Sequence, residues 1–407
     1  MGNRLLTAIK DRVPDALKPY QIRLFRNVTP EVHPDEAPEE YKLDQRLARF
    51  SQASIGDRNR WCVIAMDGNS IGRHFKAMSQ RPGEQAVAAI RQASPALQQL
   101  TRRAFEDASV EMISAWTKAN QDQLSRYVCE DNDSGESILM LPLRPIFIGG
   151  DDVVLLCHCA HAFQFVQTMI DRFEHYSREV GDQLQNDLSF HPWQANGGCL
   201  TMSAGLLFTK TSLPLHVAIP YAESLLGNAK TKLRHLQSDD QPIPSSIDWE
   251  VVTDSMLDHP ANRRRREAEF LDEDAGVRIR LTRRPYRLGS VPEHSVPDFS
   301  SLLKLSNKIR NIFPPTILNE LSLAMTRPWA ERASTLLAMS KESTYRELLD
   351  QLELPKSIPS QLPKRWFESP DETASTKMTH RRFETDVIDA ISILEESHRS
   401  TQTTVDA

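Results

Sequence analysis

The chain lacks the features that mark membrane and secreted proteins. None of its apolar runs approaches the ~18–20 residues that a membrane-spanning helix needs. Residues 1–12 are basic and mildly amphipathic, but they have neither the apolar core nor the small-residue cleavage site of a signal peptide. The sequence therefore predicts a cytoplasmic protein that does not associate with a membrane.

Cysteine is also scarce. The chain has five cysteines and no C-x-x-C pair, which argues against a structural zinc ribbon and favours reduced thiols in the core. Cys157 and Cys159 flank His158, so a metal site and a structural role are the alternatives for this triplet. Because side chains alternate along a strand, the two sulfurs are expected to face away from the imidazole, which favours the structural role.

Neither positive nor negative charge strongly predominates in the chain. The formal net charge is −6 with 26% charged residues, which excludes electrostatic binding of nucleic acid by the protein as a whole. Residues 263–266 form a local basic run that indicates contact with RNA phosphates or the solvated start of a helix. The acidic Glu267 and Glu269 beside it favour the solvated helix.

The length of 407 residues predicts two or three domains. We expect an N-terminal arm at 1–55, an α/β domain at 56–255, a helical domain at 256–353, a linker at 354–378, and an amphipathic helix and tail at 379–407. Residue patterns in the second of these follow the order β-α-α-β-β-α-β-α-β. The predicted fold class is α/β (α+β), a ferredoxin-like or palm sandwich followed by a mainly α-helical C-terminal domain.

Three apolar runs of the predicted sheet deliver acidic residues at their ends. The first, residues 61–66, ends at Asp67, and its continuous apolar character is typical of a strand covered on both faces. The runs 138–148 and 153–157 are joined by the tetrapeptide Gly-Gly-Asp-Asp at 149–152, which predicts a hairpin.

The carboxylates at these strand ends are candidate metal ligands. If the strands are neighbours, Asp67, Asp151 and Asp152 meet at one edge of the sheet. Hard cations such as Mg²⁺ or Mn²⁺ take oxygen ligands of this kind, and two such ions can activate a hydroxyl and stabilise a pyrophosphate leaving group. Gly149 and Gly150 permit close approach of a nucleotide to the backbone. The alternative is an ordinary turn, for which Gly-Gly-Asp-Asp is also suited.

A basic pair follows downstream. Lys230 and Arg234 lie four residues apart near the end of a helix predicted over 217–235, so they share one helix face. Such a pair can hold the β- and γ-phosphates of a triphosphate. Compensation of the helix dipole is the alternative role.

These motifs resemble, in their order, the catalytic palm of the polymerase-like large subunit of type III CRISPR effectors. Minimal CRISPR polymerases are smaller relatives, and GGDEF diguanylate cyclases are more distant ones. The resemblance covers about residues 58–255, with a looser similarity in the helical region that follows. The residues that carry it are Asp67-Gly68-Asn69-Ser70-Ile71-Gly72, Phe147-Ile148-Gly149-Gly150-Asp151-Asp152, Ser203-Ala204-Gly205, Ala222-Glu223-Ser224-Leu225-Leu226 and Ala229-Lys230.

The resemblance implies roles at matching positions. Asp67 and Asp152, assisted by Asp151, are expected to be the catalytic residues and to bind Mg²⁺ or Mn²⁺ in a two-metal site. Diguanylate cyclases place an asparagine where this chain has Phe75, which argues against guanine specificity and leaves base stacking or a core position for the aromatic ring. The residues implied in nucleotide binding are Gly68, Asn69, Gly149, Gly150, Ser203, Lys230 and Arg234.

The function implied is a nucleotidyltransferase that joins ATP or other nucleoside triphosphates into cyclic oligonucleotide second messengers in anti-phage defence. The expected partners are a second copy or another palm-bearing protein, subunits of an RNA-guided complex, and a downstream effector. The alternatives are a non-catalytic, nucleotide-binding scaffold subunit of such a complex and a sensor that binds a cyclic nucleotide without making it.

Overall fold

The architecture comes from a computed structural model, in which most of residues 60–314 and few residues elsewhere are described. The described ranges are 60–119, 128–130, 137–193, 198–234, 243–252, 259–272, 277–280, 282–289 and 297–314, with 21–23, 316–317, 379–381 and the single residues 12, 17, 121, 124, 320, 338, 343, 346, 386 and 390. The predicted linker at 354–378 and most of the predicted arm at 1–55 lie outside the described residues.

Twelve strands and six helices are found in these ranges. The strands are β1 (Gln21–Arg23), β2 (Arg60–Gly68), β3 (Val128–Glu130), β4 (Ser137–Met140), β5 (Leu143–Gly149), β6 (Asp152–His158), β7 (Met202–Lys210), β8 (Ser245–Val252), β9 (Glu269–Asp272), β10 (Val277–Arg280), β11 (Tyr286–Leu288) and β12 (Thr379–Arg381). The helices are α1 (Ile71–Ser79), α2 (Gly83–Ala119), α3 (Cys159–Leu188), α4 (Leu215–Arg234), α5 (Pro260–Ala268) and α6 (Phe299–Ile312).

Strands from residues 60–288 form a six-stranded mixed sheet. Its strand order is β11-β8-β7-β2-β6-β5, and the β7/β8 pair is parallel whereas β7/β2, β2/β6 and β6/β5 are antiparallel. The central strands β2 and β7 are buried along almost their whole length, as their unbroken apolar runs predict. The α+β class and the palm-like architecture predicted from the sequence are thereby confirmed.

Helices cover the two faces of this sheet. Phe163 of α3 makes edge-to-face contacts with Phe208 and Trp249 at centroid distances of 5.2 and 5.6 Å, and α2 packs against α3. Helix α4 lies on the opposite face, against Gly205, because alternate residues of a strand face opposite sides. None of the helices in the described residues is both long and apolar enough to cross a membrane.

One predicted strand is divided into two in the structure, and the strand alternation expected for residues 157–159 ends at His158. The apolar run 138–148 is divided at Pro142 into β4, which pairs with β1 and β3 in a small separate sheet, and β5, which pairs with β6. A continuous apolar run does not reveal such a break, although proline lacks the N–H group that a central ladder requires. The structure also ends β6 at His158, whose ring accepts a hydrogen bond from the Ala160 N–H as the N-cap of α3, so Cys159 is helical.

The chain divides into two compact units, one built from 1–255, 287–296 and 396–407, and one from 256–286 and 297–395. The second unit contains a small sheet, β12-β10-β9, in a region where the sequence predicts mainly helices. Its β12 strand occupies the start of the predicted last helix. Arg263 and Arg264 of the basic run are largely buried in α5, so the prediction of a solvated helix start was wrong for these two residues.

A buried carboxylate stabilises the second unit. Asp386 is fully buried and accepts hydrogen bonds from Thr282 Oγ1, Arg284 Nε and Tyr286 OH, each at 2.7 Å. It also accepts one from the Arg283 N–H at 2.8 Å. With four donors, the buried charge is compensated, and the carboxylate fixes the conformation of 282–286.

Candidate active site

Three carboxylates converge where β2 ends and β6 begins. The antiparallel register pairs Met66 with Val153, which places Asp67 and Asp152 side by side on the next row. Asp151 precedes β6 in the hairpin turn. One carboxylate oxygen of each residue lies within 4.8 Å of the others, so the sheet register alone brings together acids that are more than 80 residues apart in sequence.

Glycine is required beside these acids. A Cβ atom at Gly68 would lie 2.6 Å from Ile71 Cγ1 and 2.9 Å from Asp151 Oδ2, so any side chain there would push the Asp151 carboxylate away. Gly150 adopts φ 63° in the hairpin turn, a left-handed conformation that favours glycine. Both glycines therefore serve the geometry of the acidic cluster.

Lys230 reaches the cluster from α4. Its ammonium group donates hydrogen bonds to Asp67 Oδ2 and, at 2.8 Å, to the carbonyl oxygen of Gly68. The Lys230 side chain is only 16% exposed, so this contact is shielded from solvent and more strongly attractive than a surface ion pair. A cation therefore already occupies one side of the carboxylate cluster.

Burial and the nearby charge of Asp67 raise the pKa values of the other two acids. Burial, together with a hydrogen bond to Asp67 and repulsion by its charge, raises the pKa of Asp151 to about 7. Burial and the charge of Asp67 raise the pKa of Asp152 to about 6, although the Lys230 ammonium opposes that rise and Glu223 adds to it. These shifts disfavour simultaneous ionisation of Asp151 and Asp152 near neutral pH, and a further cation would oppose them.

The donor set fits a divalent cation. Its ligands are all oxygen, they project from the ends of adjoining strands, and Asp152 is exposed at the mouth of the site. Mg²⁺ and Mn²⁺ prefer such ligands and keep open positions for water and phosphate oxygens. Burial is the largest cause of the raised pKa values of Asp151 and Asp152, and a bound cation would relieve the repulsion from Asp67 that adds to it.

Asn69 and Ser203, both predicted to bind nucleotide, are buried beneath the carboxylates. Ser203 Oγ donates a hydrogen bond to Asn69 Oδ1 at 2.8 Å, and Asn69 Nδ2 donates to Thr201 Oγ1 at 3.1 Å. The Asn69 N–H also donates to the Thr201 carbonyl at 2.8 Å. These bonds fix the loop after Asp67 to Thr201 and to Ser203 of β7, so the side chains of Asn69 and Ser203 position the loop beside the carboxylates.

Three further residues, Gly149, Arg234 and Phe75, were considered for the site from the sequence. Gly149 pairs with Asp152 at the tip of the hairpin, next to the cluster. Arg234 ends α4, and its side chain lies outside the described part of the structure. Phe75 is half-buried on α1. Its role in base recognition stays a prediction.

Sequence reasoning missed Glu223 as a participant in the electrostatics of the site. This residue lies on α4, seven positions before Lys230, which is two helical turns and hence the same helix face. The spacing of seven residues between Glu223 and Lys230 in the sequence could have identified Glu223.

Part of the chain matches a known domain family. The profile of the family described as Cas10/Cmr2, second palm domain, matches residues 60–235, which contain every residue of the cluster. No curated protein sequence matches the chain.

One solved structure that resembles the chain is described as a Csm1–Csm4 cassette in complex with cA4. The alignment covers 88% of this chain and 38% of that chain, at 14% sequence identity and a TM-score of 0.39. The chain thus corresponds to well under half the length of that relative. The match over residues 60–235 confirms that this part of the chain resembles the palm of the polymerase-like large subunit of type III CRISPR effectors.

Proposed function

We propose that this palm is a nucleotidyltransferase that joins ATP, or other nucleoside triphosphates, into cyclic oligonucleotides. The observation that carries the proposal is the convergence of Asp67, Asp151 and Asp152 with Lys230 at one edge of the sheet. An acidic cluster alone is compatible with a simple turn. The lysine, the glycine that leaves room for Asp151 and the family match together favour a site for a metal-bound triphosphate.

The proposed reaction forms one phosphodiester bond at a time. The 3′-oxygen of one nucleotide bonds to the α-phosphorus of a second, the bond from that phosphorus to the bridging oxygen breaks, and pyrophosphate leaves while the hydroxyl proton passes to solvent. Cyclisation repeats the step within one molecule. Divalent cations, when bound, supply activation of the hydroxyl and charge neutralisation of the leaving group.

The residues of the chain divide this work. Asp67, Asp151 and Asp152 hold the cations, and the fixed backbone after Asp67 meets the phosphates. Lys230 is expected to leave Asp67 when a cation arrives and to bind the triphosphate, because the cation takes over the neutralisation of that carboxylate. Each palm holds one triphosphate, so a second copy or a palm-bearing partner is expected to present the other.

Substitution of Lys230 tests whether its ammonium group moves from Asp67 to the triphosphate when a cation binds. In Lys230→Met, Mn²⁺ alone is expected to bind at least about fivefold more tightly, since at least ~1 kcal/mol of competing ion pairing, the upper range for an exposed pair, is removed. A metal-bound ATP analogue is expected to bind at least about tenfold more weakly, because a charge-assisted hydrogen bond is lost. Isothermal titration measures both. Lys118→Met, an exposed lysine on α2, is the control, and weaker binding of Mn²⁺ alone by Lys230→Met would contradict the exchange.

The pH dependence of metal binding follows from the raised pKa values. Below about pH 6 both Asp151 and Asp152 hold protons that a cation must displace, and above about pH 7 both are ionised. The rise in melting temperature caused by Mn²⁺ is therefore expected to be small at pH 5.5 and to grow up to about pH 7.5. Asp151→Asn should flatten this dependence. A metal-induced shift that is equal at both pH values would contradict the proposed ligands.

The direct test of the function is incubation of the purified chain with ATP and Mg²⁺ or Mn²⁺, followed by mass spectrometry of the products and assay of pyrophosphate. The alternative function is a non-catalytic scaffold that binds nucleotide within an RNA-guided complex. It is favoured by binding of ATP without release of pyrophosphate, together with co-purification of RNA and other subunits. A sensor would instead bind cyclic nucleotides more tightly than ATP.

A further inference from the structure

An exposed aromatic ring lies beside the carboxylate cluster and is not used by the proposed chemistry. Phe147 is 53% exposed on β5, the edge strand of the six-stranded sheet among the described residues. Large apolar side chains in sheets of this kind normally pack against a helix. An aromatic ring left open next to a candidate nucleotide site calls for a ligand with an aromatic face.

The strand register places Phe147 on the same face of the sheet as the acids. Phe147 pairs with Val154, and Val154 pairs with Ala65, so these three residues form one row across β5, β6 and β2. Asp67 lies two residues after Ala65 on β2, and Asp152 lies two residues before Val154 on β6. Both acids are therefore on the same face of the sheet as Phe147, at the end where β2 ends and β6 begins. Phe147 and Asp152 are therefore diagonal neighbours on adjacent strands, and such neighbours are roughly 7–8 Å apart, within reach of an aromatic side chain.

The row of residues that contains Phe147, Val154 and Ala65 also explains why this face of the sheet is exposed at Phe147. Ala65 also pairs with Gly205 on β7, and α4 packs directly over Gly205. Helix α4 therefore covers one end of the row, and Phe147 forms the exposed floor at the other end. A ligand whose phosphates lie at the acids and at Lys230 of α4 can extend over this floor.

Gly149 allows the ring to lean toward the site. A Cβ atom at position 149 would be 2.7 Å from Phe147 Cζ and 3.3 Å from both Cε atoms. The tip of the ring thus rests on the Gly149 backbone, at the strand position that pairs with Asp152. The missing side chain at 149 directs the ring toward the carboxylates, in addition to any freedom that it gives the turn.

We propose that Phe147 is the stacking platform for the nucleobase of the nucleotide whose triphosphate is held by the acids and Lys230. The inference rests on the proposed function and deepens it, since it assigns the base to the open floor of β5. Stacking needs only an aromatic face, so the platform is expected to favour purines over pyrimidines without reading their hydrogen-bonding edges.

The test compares ligands with and without a base. Isothermal titration of the full chain in Mg²⁺ is done with α,β-methylene-ATP and with inorganic tripolyphosphate. Phe147→Ala is expected to weaken binding of the ATP analogue by at least about fivefold, the lower range for one stacked base, and to leave tripolyphosphate unchanged. Phe147→Trp should retain or tighten binding of the analogue. Ile146→Ala is the matched control, because Ile146 is the neighbouring exposed apolar residue on β5.

Each other result overturns the stacking role. If the wild type binds the analogue and tripolyphosphate equally, or Phe147→Ala binds the analogue as the wild type does, the base lies elsewhere while the proposed function stands. If Phe147→Ala changes the molar mass in light scattering, and Phe147→Leu does the same, the ring is part of a protein interface. If the wild type binds neither ligand, the proposed function itself fails.

Discussion

Asp67→Asn and Asp152→Asn are each expected to abolish the release of pyrophosphate from ATP, by at least about a thousandfold. Each substitution removes one cation ligand while it keeps the size of the side chain. Divalent cations in phosphoryl transfer contribute several kcal/mol to transition-state stabilisation, and each 1.36 kcal/mol corresponds to a factor of ten in rate. The effect is expected in the turnover number as well as in the affinity for ATP, because charge develops on the leaving group only in the transition state.

The same variants should remain folded. Asp152→Asn removes a charge that repels Asp67 and Asp151, so its melting temperature without metal should be unchanged or higher. Asp67→Asn relieves repulsion as well but also removes the ionic partner of the partly buried Lys230, so a small decrease in melting temperature is expected. Asp187→Asn, an exposed acid on α3, is the control for loss of a surface charge. A measurable rate in Asp67→Asn within tenfold of the wild type would show that this carboxylate is not a catalytic ligand.

Gly205→Ala is expected to destabilise the sheet and to displace the helix that carries Lys230. A Cβ atom at Gly205 would lie 2.2 Å from the carbonyl oxygen of Ala222 and 2.3 Å from the backbone nitrogen of Leu226. Both atoms belong to the backbone of α4, so no side-chain rotation relieves the clash. Overpacking of this kind costs about 1–3 kcal/mol or more, which lowers the melting temperature by roughly 5 °C.

Loss of binding should accompany the loss of stability. Because Lys230 lies on α4 beyond the contact, a shift of the helix moves its ammonium group away from Asp67, and tripolyphosphate is expected to bind more weakly. Gly227→Ala is the matched control: position 227 is on the same helix and an added Cβ meets nothing within 4 Å. That variant should be as stable as the wild type or up to ~1 kcal/mol more stable. Equal melting temperatures for Gly205→Ala and Gly227→Ala would show that α4 does not depend on this close approach.

The positions of the acids could be predicted from sequence because strand periodicity is a local property. The apolar run 61–66 ends at Asp67, and the two runs beside Gly-Gly-Asp-Asp form the hairpin that the pattern indicated. Neighbouring antiparallel strands then bring these acids to one edge, whatever the details of packing. Lys230 was placed on the correct helix for a similar reason, since amphipathic spacing identifies α4.

Other features depended on tertiary contacts that no local pattern reveals. Asn69 was considered only by its position after Asp67, whereas in the structure it is buried and hydrogen-bonded to Thr201, which precedes β7, and to Ser203 on β7. Phe147 was considered only as part of the motif at 147–152. Its exposure depends on which strand lies at the edge of the sheet. The break at Pro142 was hidden because the apolar run continues through it into a strand of another sheet.

The most direct test of the proposed catalysis is detection of a new phosphodiester bond. Purified wild-type chain is incubated with ATP and Mn²⁺ at pH 7.5, beside Asp67→Asn, and products are followed by mass spectrometry and pyrophosphate assay. We expect the wild type to release pyrophosphate and form cyclic oligoadenylates, and Asp67→Asn to form neither. Absence of pyrophosphate from the wild type with each of the four nucleoside triphosphates, or equal release by the two proteins, would contradict catalysis at this cluster.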